Sequence, residues 1–99
     1  RSFGDMVIDD DSREVSIGGI DVELTAKEFD LLSFLTHSPR RVFTRGQLLE
    51  QVWESSPDRQ NDATVAEHVH RLRAKLDPDD RFAWIETVRG VGYRFAPPG

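Results

Sequence analysis

Residues 24–53 read LTAKEFDLLSFLTHSPRRVFTRGQLLEQVW and contain two helix starts of the same kind. In the first, Thr25 stands three residues before Glu28, and in the second, Thr44 stands three residues before Gln47. This spacing is that of a capping box, in which the threonine hydroxyl and the Glu or Gln side chain each accept a hydrogen bond from an otherwise unpaired backbone N–H. Closely spaced apolar residues follow both boxes, so the stretch predicts two short amphipathic helices in succession.

A third helix is predicted from Asp62 or Thr64 to Leu76, because apolar residues recur there every three or four positions. They fall on one side of a helix: Val65, Val69, Leu72 and Leu76. Either Asp62 or Thr64 can serve as the N-cap, so the start stays open. Pro39 is expected to end the first helix, since the residue before a proline disfavours helical backbone geometry.

Strands are predicted on both sides of the three helices. Apolar and polar residues alternate over 14–17 and 20–24, and Gly18-Gly19 between them is typical of a two-residue hairpin turn. Apolar residues within 3–8 predict a further strand ahead of this hairpin. The segment 84–95 is predicted to form a second hairpin, with its turn at Gly90 and Gly92. The predicted fold class is α+β, with an N-terminal antiparallel β-sheet, a three-helix core and a C-terminal β-hairpin. We expect all 99 residues to form one domain, because a second core would need roughly 50 more residues.

Composition and spacing exclude several classes of protein. The chain has no cysteine, so it forms neither disulfides nor thiolate metal sites. No apolar run is long enough to span a membrane. His68 and His70 are two residues apart and diverge on a helix, and no Ser/His/Asp spacing indicates a nucleophile. We therefore expect no metal, no cofactor and no enzymatic activity.

The formal net charge of −5 does not favour a nucleic-acid partner, but the charge is unevenly distributed. Residues 1–30 hold nine acidic and three basic residues, whereas residues 31–99 hold nine acidic and ten basic ones. Three cations lie within five residues of the third helix, at Arg71, Arg73 and Lys75. A small basic surface beside an acidic one is therefore consistent with the sequence.

The side of the third helix opposite its apolar residues has two interpretations. Its residues are Ala63, Glu67, His70, Arg71 and Ala74. In a DNA major groove, the small side chains would permit close approach, Arg71 would donate to guanine and Glu67 would accept from cytosine. The alternative is a solvated helix face with an i,i+4 ion pair between Glu67 and Arg71. From this helix alone, the solvated face is the commoner case.

Four segments, in order along the chain, together resemble one known family. They are LTAKEFDLL (24–32), RVFTRGQLLEQVW (41–53), VHRLRAKL (69–76) and TVRGVGYRF (87–95). They are similar to the C-terminal effector domain of OmpR/PhoB-type response regulators, a winged helix-turn-helix. The resemblance covers nearly the whole chain and favours the DNA interpretation of the third helix. It implies sequence-specific binding of double-stranded DNA in the control of transcription.

The resemblance also implies roles for individual residues. The helix over 63–76 would be the recognition helix, with Glu67 and Arg71 contacting bases in the major groove. Arg89, in the hairpin or wing over 87–93, would contact bases from the minor groove. The residues expected to contact the DNA backbone are Trp53, Thr64, His68, His70, Arg73, Thr87 and Tyr93.

The expected partners and context follow from the same resemblance. The segment expected to face RNA polymerase consists of Glu54, Ser55, Ser56, Pro57, Asp58, Arg59, Gln60 and Asn61. Because the sequence begins with Arg1, we expect a fragment of a longer cytoplasmic protein, with a phosphorylatable receiver domain upstream. A sensor kinase would act on the protein only through that receiver domain. On DNA, the expected state is a dimer on tandem half-sites.

Three positions depart from residues that family members often carry. Glu54 follows the tryptophan where glycine is common, Ala63 precedes Thr64 where a basic residue is common, and Ala66 stands where aspartate is common. The missing cation at position 63 should weaken contact with the DNA backbone. Ala66 removes a polar side chain that could read a base.

The alternative function is a winged-helix protein-interaction module that uses the same face for a protein partner and reads no DNA. The net charge of −5 favours this alternative. A salt titration separates the two functions, because phosphate contacts give DNA binding a steep salt dependence and protein docking does not require one.

Overall fold

The computed structural model describes residues 1–53, 62–79 and 81–98. The segment Glu54–Asn61, predicted to face RNA polymerase, lies outside the described residues. The helices are α1 (Ala26–Thr36), α2 (Arg45–Val52) and α3 (Asp62–Leu76). The strands are β1 (Ser2–Phe3), β2 (Met6–Asp9), β3 (Glu14–Ile17), β4 (Ile20–Val22), β5 (Phe43–Thr44), β6 (Ile85–Val88) and β7 (Gly92–Phe95).

The N-terminal sheet has the strand order β1-β2-β3-β4, and each neighbouring pair is antiparallel. Buried and exposed residues alternate in β2, where Met6 and Ile8 are buried while Val7 between them is exposed. In β4 the predicted alternation does not hold, since Ile20 is exposed. The strand predicted within 3–8 is instead two strands, β1 and β2. The chain reverses between them at Gly4, whose φ of +58° is readily adopted by glycine, and this reversal pairs Phe3 with Met6.

Both predicted capping boxes are present. The Glu28 N–H donates to Thr25 Oγ1 at 3.2 Å, and the Thr25 N–H donates to Glu28 Oε1 at 2.9 Å. At the start of α2, the corresponding distances between Thr44 and Gln47 are 3.0 and 2.8 Å. These bonds fix where α1 and α2 begin. Helix α1 ends at Thr36, shortly before Pro39.

The predicted C-terminal hairpin belongs to a second sheet with the order β5-β7-β6. The Val91 N–H donates to the Val88 carbonyl at 2.9 Å, and Gly90 in this turn has a φ of +78°. Strand β5, which directly precedes α2, pairs with β7. A Cβ atom at Gly92 would overlap the Phe43 carbonyl, so only glycine permits this close approach. The hairpin is therefore held beside the start of α2.

The core is one cluster of apolar side chains contributed by the three helices and by both sheets. The apolar residues predicted for α3 are all buried, and so are Trp84, Ile85 and Phe95, which anchor the hairpin to the core. The fully buried apolar side chains of largest volume are Trp53, Phe95, Met6, Ile8, Leu31, Leu32, Leu35, Leu48, Leu72, Ile85 and Val65. This packing leaves the opposite side of α3 and the hairpin turn exposed on the surface.

Candidate nucleic-acid interface

The exposed side of α3 carries Glu67 and Arg71 as an ion pair. Arg71 Nη2 donates to Glu67 Oε1 at 2.8 Å, and the two side chains keep 49% and 60% of their surface exposed, respectively. Pairs of this kind contribute little to stability at a solvated surface. The pair also orients the guanidinium on the outer side of the helix. In the described part of the chain, Arg71 makes no other hydrogen bond, so its remaining N–H groups are available to a ligand.

Arg73 connects α3 to the hairpin. Its Nε donates to the Ile85 carbonyl at 3.0 Å, and its Nη2 donates to Thr87 Oγ1 at 2.6 Å. The Arg73 guanidinium also lies 5.8 Å from the centre of the Tyr93 ring, which is buried. The structure thus brings together Arg73, Thr87 and Tyr93, three residues predicted as backbone contacts. The sequence did not reveal that Arg73 also holds the hairpin in place.

Trp53, Thr64 and His68 form a second group at the start of α3. His68 Nδ1 lies 2.8 Å from the Thr64 carbonyl oxygen, and the His68 ring meets the Trp53 ring edge-on at a centroid distance of 5.0 Å. Trp53 is only 1% exposed. The contact of Trp53 with the DNA backbone therefore stays a prediction, in which the indole is largely enclosed by the core. Thr64 is also buried, whereas His68 is half-buried.

An open groove of about 530 Å³ separates the second half of α3 from β6 and the segment before it. His70 and Arg73 line its α3 side, and Trp84 and Ile85 contribute apolar surface. Phe82 is partly exposed in this groove and packs against Trp84 with ring centres 4.6 Å apart. The exposed His70 side chain therefore lies near Arg73 at the side of α3 that faces the hairpin.

The hairpin turn presents Arg89 as an exposed cation. Within the described ranges, Arg89 makes no hydrogen bond or ion pair. A surface ion pair of Arg89 with Glu86 would be the alternative to a DNA contact, but this pair does not form within the described part of the chain. Glu86 accepts a hydrogen bond of 2.7 Å from Arg94, the residue directly opposite it in the β6–β7 register. The strand pairing thus selects Arg94 as the partner and leaves Arg89 at the turn.

An ion pair between an exposed lysine and a buried carboxylate ties α3 to the start of α1. Lys75 Nζ donates to Glu28 Oε1 at 2.6 Å, and Glu28 has no solvent exposure. Burial by itself would raise the pKa of Glu28, but the hydrogen bonds from Lys75 and Thr25 outweigh it and lower the pKa below its ordinary value. The sequence indicated only the capping role of Glu28. Its partner on α3 lies 47 residues further along the chain and had no local signal.

Among the described residues, no three His, Asp or Glu side chains form a cluster suited to a metal ion. No helix in the described part of the chain combines the length and apolar character that a membrane span requires.

The arrangement defines a class of protein. Helices α1–α3 pack as a three-helix core, α3 presents an exposed polar side, and a β-hairpin stands next to it. This is a winged helix-turn-helix domain, with α3 in the position of the recognition helix and the hairpin as the wing.

Comparison with known proteins identifies the family. Residues 19–95 match the family model described as "Transcriptional regulatory protein, C terminal". The chain therefore belongs to this family, the C-terminal effector domains of OmpR/PhoB-type response regulators. These are regulatory domains and not enzymes.

Similar proteins agree with this assignment. The chain is 46% identical over 98 residues to the DNA-binding response regulator MtrA of Mycolicibacterium smegmatis. The alignment covers 98% of this chain and 42% of that protein. The AdeR DNA-binding domain, solved in complex with an intercistronic region, is 37% identical and superposes with a TM-score of 0.84. The match covers 99% of this chain and 100% of the AdeR chain. The Thermotoga maritima regulator DrrB, an OmpR/PhoB homologue, is 35% identical and superposes with a TM-score of 0.85. The match covers 97% of this chain and 43% of the DrrB chain. The chain thus spans less than half the length of the complete regulators.

Proposed function

We propose that this chain binds double-stranded DNA sequence-specifically and controls transcription as the effector domain of a two-component response regulator. The observation that carries the proposal is the exposed Glu67–Arg71 pair on α3, next to a wing whose turn carries Arg89, a cation with no ion pair among the described residues. The similar AdeR DNA-binding domain was solved in complex with an intercistronic region, which supports DNA as the ligand of this chain.

In this proposal, α3 lies in the major groove. Arg71 donates two hydrogen bonds to a guanine, and Glu67 either accepts from a cytosine or holds the Arg71 guanidinium in place. Arg89 enters the adjacent minor groove, where narrow A·T-rich stretches attract arginine. Ala63 and Ala74, both exposed on α3, add little bulk and permit close approach to the bases.

The DNA backbone is contacted by residues around this face. Arg73, Thr87 and Tyr93 stand together between α3 and the wing, and His70 is exposed nearby. We keep the half-buried His68 in this set. Thr64 remains a candidate through its backbone, because its side chain is buried. Phosphate contacts of this kind position the protein without reading sequence.

We further propose that this domain works within a longer cytoplasmic protein. The M. smegmatis regulator extends well beyond the part that this chain matches, and we place a phosphorylatable receiver domain in the upstream part of this protein. A sensor kinase acts through that domain. On DNA, two copies bind tandem half-sites.

The segment Glu54–Asn61 faces RNA polymerase, so exchanging it should leave the DNA footprint unchanged and reduce activation of transcription.

Selection of binding sites from a random duplex library tests the central proposal. The chain should enrich one sequence motif, and its affinity for that motif should fall steeply with salt. The net charge of −5 favours the second candidate function, a protein-interaction module. That candidate predicts no enriched motif and no salt-dependent affinity for any duplex, and this result would replace the proposed function.

A further inference from the structure

The groove between the second half of α3 and β6 has an apolar lining that the proposed DNA contacts do not use. Its volume of about 530 Å³ lies within the range of small-molecule sites. The apolar residues that line it are Ala74, Leu76, Phe82, Ala83, Trp84 and Ile85. Phosphate oxygens require hydrogen-bond donors and gain nothing from apolar carbon, so contact with the DNA backbone leaves this surface unexplained.

Phe82 supplies an exposed aromatic surface to this groove and is nevertheless held in place. It keeps 37% of its surface exposed. Its backbone N–H donates to Asp77 Oδ2 at 2.7 Å, and its ring meets the Trp84 ring at a centre distance of 4.6 Å. Trp84 in turn stacks on Phe95 in the core, with ring centres 6.0 Å apart. A ligand that covers Phe82 therefore buries apolar surface without first having to order the side chain beneath it.

Two side chains of α3 offer hydrogen-bond donors to this groove. Arg73 donates through Nε to the Ile85 carbonyl and through Nη2 to Thr87, which leaves Nη1 available. His70 lines the same groove and makes no hydrogen bond to another described residue. It precedes Arg73 by three positions, so the two side chains lie on the same side of the helix. They can therefore donate together to one carboxylate.

The two carboxylates that line the groove already have partners. Asp77 accepts from the backbone N–H groups of Arg81 and Phe82 at 2.9 and 2.7 Å. Glu86 accepts from Arg94 Nε at 2.7 Å, and this ion pair offsets its charge. Neither carboxylate pairs with the guanidinium of α3 that lines the groove. The groove thus combines an aromatic surface with an uncompensated cation, and this combination suits an aromatic ligand with a negative charge.

We infer that this groove is a binding site for a small aromatic carboxylic acid. The ring of the acid covers Phe82 and Trp84, and its carboxylate accepts hydrogen bonds from Arg73 and His70. Binding of the acid does not depend on DNA. One consequence rests on the proposed function, in which Arg73 and His70 also contact the DNA backbone, so that the acid and a duplex compete for the same donors. The acid should therefore weaken binding to all duplexes by a similar factor.

Naphthoate is the probe, and naphthalenemethanol is its matched control with the same ring system and no charge. Each compound is titrated into the isotope-labelled chain and followed by NMR. Naphthoate should give a saturable shift of the amide signals of 82–87 and of the Trp84 indole N–H, with a Kd of about 1 mM or lower. The indole N–H of Trp53, which does not line the groove, should not move. Naphthalenemethanol should bind at least about tenfold more weakly, because it lacks the charge that Arg73 recognises.

Phe82→Ala removes the exposed aromatic surface, and Val7→Ala is its control, since Val7 is an exposed apolar residue on β2 outside the groove. Phe82→Ala should weaken naphthoate binding at least about fivefold, whereas Val7→Ala should bind it as the wild type does. Thermal unfolding checks that both variants are folded. If Phe82→Ala does not fold, His70→Ala at an exposed position replaces it and should weaken naphthoate more than naphthalenemethanol.

Three results would overturn the inference: no saturable shift up to about 5 mM naphthoate, equal affinities for the two compounds, or equal affinities of wild type and Phe82→Ala for naphthoate. Fluorescence anisotropy with the selected duplex tests the competition. Naphthoate should raise the apparent Kd of the wild type for DNA and not that of Phe82→Ala. Saturable naphthoate binding with unchanged DNA affinity overturns the competition alone. A wild-type chain that binds no duplex overturns the proposed function, and the NMR titration then still decides on the naphthoate site.

Discussion

Lys75 Nζ lies 2.6 Å from Oε1 of Glu28, a carboxylate without solvent exposure. The same oxygen accepts the capping hydrogen bond from the Thr25 N–H. The other oxygen, Oε2, is buried and has no hydrogen-bond partner among the described residues. One carboxylate group therefore caps α1 and also fixes the last turn of the recognition helix against it.

Replacement of Glu28 by glutamine should separate these two roles. Gln47 shows that a glutamine completes a capping box in this fold, so Glu28→Gln should retain the cap. It removes the charge that faces Lys75, and we expect the free energy of unfolding to fall by about 1–3 kcal/mol at neutral pH. Urea denaturation measures the change. The reverse exchange at the exposed box, Gln47→Glu, is the control and should stay within about 0.5 kcal/mol of wild type. If the two substitutions lowered stability equally, the ion pair between Glu28 and Lys75 would not be what stabilises the first box.

The pH dependence of stability follows from the pKa of Glu28, which folding lowers below its ordinary value of 4.5. A carboxyl group with a lowered pKa in the folded state binds protons more readily when the chain unfolds. Its contribution is therefore complete above about pH 4.5 and is lost as the pH falls through the lower, folded-state pKa. We expect stability to decline as the pH falls below 4.5 towards the lower, folded-state pKa, and Glu28→Gln to decline less steeply. Parallel profiles for the two proteins would contradict this assignment.

Arg71→Ala tests base readout by α3. The substitution removes an exposed side chain, so the melting temperature should change little. Binding to the selected motif should weaken by about 1–3 kcal/mol, and preference at one base pair should disappear. Sequencing of sites selected by the variant gives the result directly. An unchanged motif would show that Arg71 does not read a base.

Arg73→Ala should affect both DNA binding and folding. The variant loses the hydrogen bonds to the Ile85 carbonyl and to Thr87, so we expect stability to fall by about 1–2 kcal/mol. All duplexes should be bound more weakly by a similar factor, as is typical of a backbone contact. Calorimetry measures the loss of stability, and titrations with specific and unrelated duplexes measure the loss of DNA affinity. A loss of sequence preference without loss of stability would contradict this double role.

Arg89→Ala should act on binding alone. The side chain has no hydrogen bond or ion pair within the described residues, so thermal stability should match wild type. The loss of affinity should be concentrated on sites with A·T-rich flanks, whose narrow minor groove attracts arginine. Titrations at moderate salt on duplexes with A·T-rich and G·C-rich flanks measure this difference. Equal affinities of wild type and variant on both duplexes would show that the turn does not read DNA.

The features that the sequence predicted correctly are those with local causes. A capping box needs two residues three positions apart, and the hairpin at Gly18-Gly19 needs a glycine pair between two alternating segments. The reversal at Gly4 was missed because one glycine within a short stretch that also holds Phe3, Met6 and Ile8 fits a continuous strand as well.

The features that the sequence did not reveal depend on contacts between distant elements. Trp53 follows α2 directly, yet the side chain is enclosed only when α3 packs beside it through His68. Arg73 was assigned to DNA from its charge, whereas its partners Ile85 and Thr87 become neighbours only after the hairpin folds onto α3. Charge and helical spacing indicate the side on which a residue lies. They do not indicate which other residues of the folded protein already accept hydrogen bonds from its N–H groups.

The bond from Arg73 to the Ile85 carbonyl has a consequence for self-association. Strand β6 is at the edge of its sheet, and an edge with unpaired carbonyls invites strand addition from another molecule. Arg73 occupies one of these acceptors with a charged group, which is a recognised protection against aggregation. Removal of this side chain leaves the Ile85 carbonyl open to strand addition, so we expect Arg73→Ala to self-associate more readily at high concentration. A binding assay at nanomolar concentration would not detect this effect.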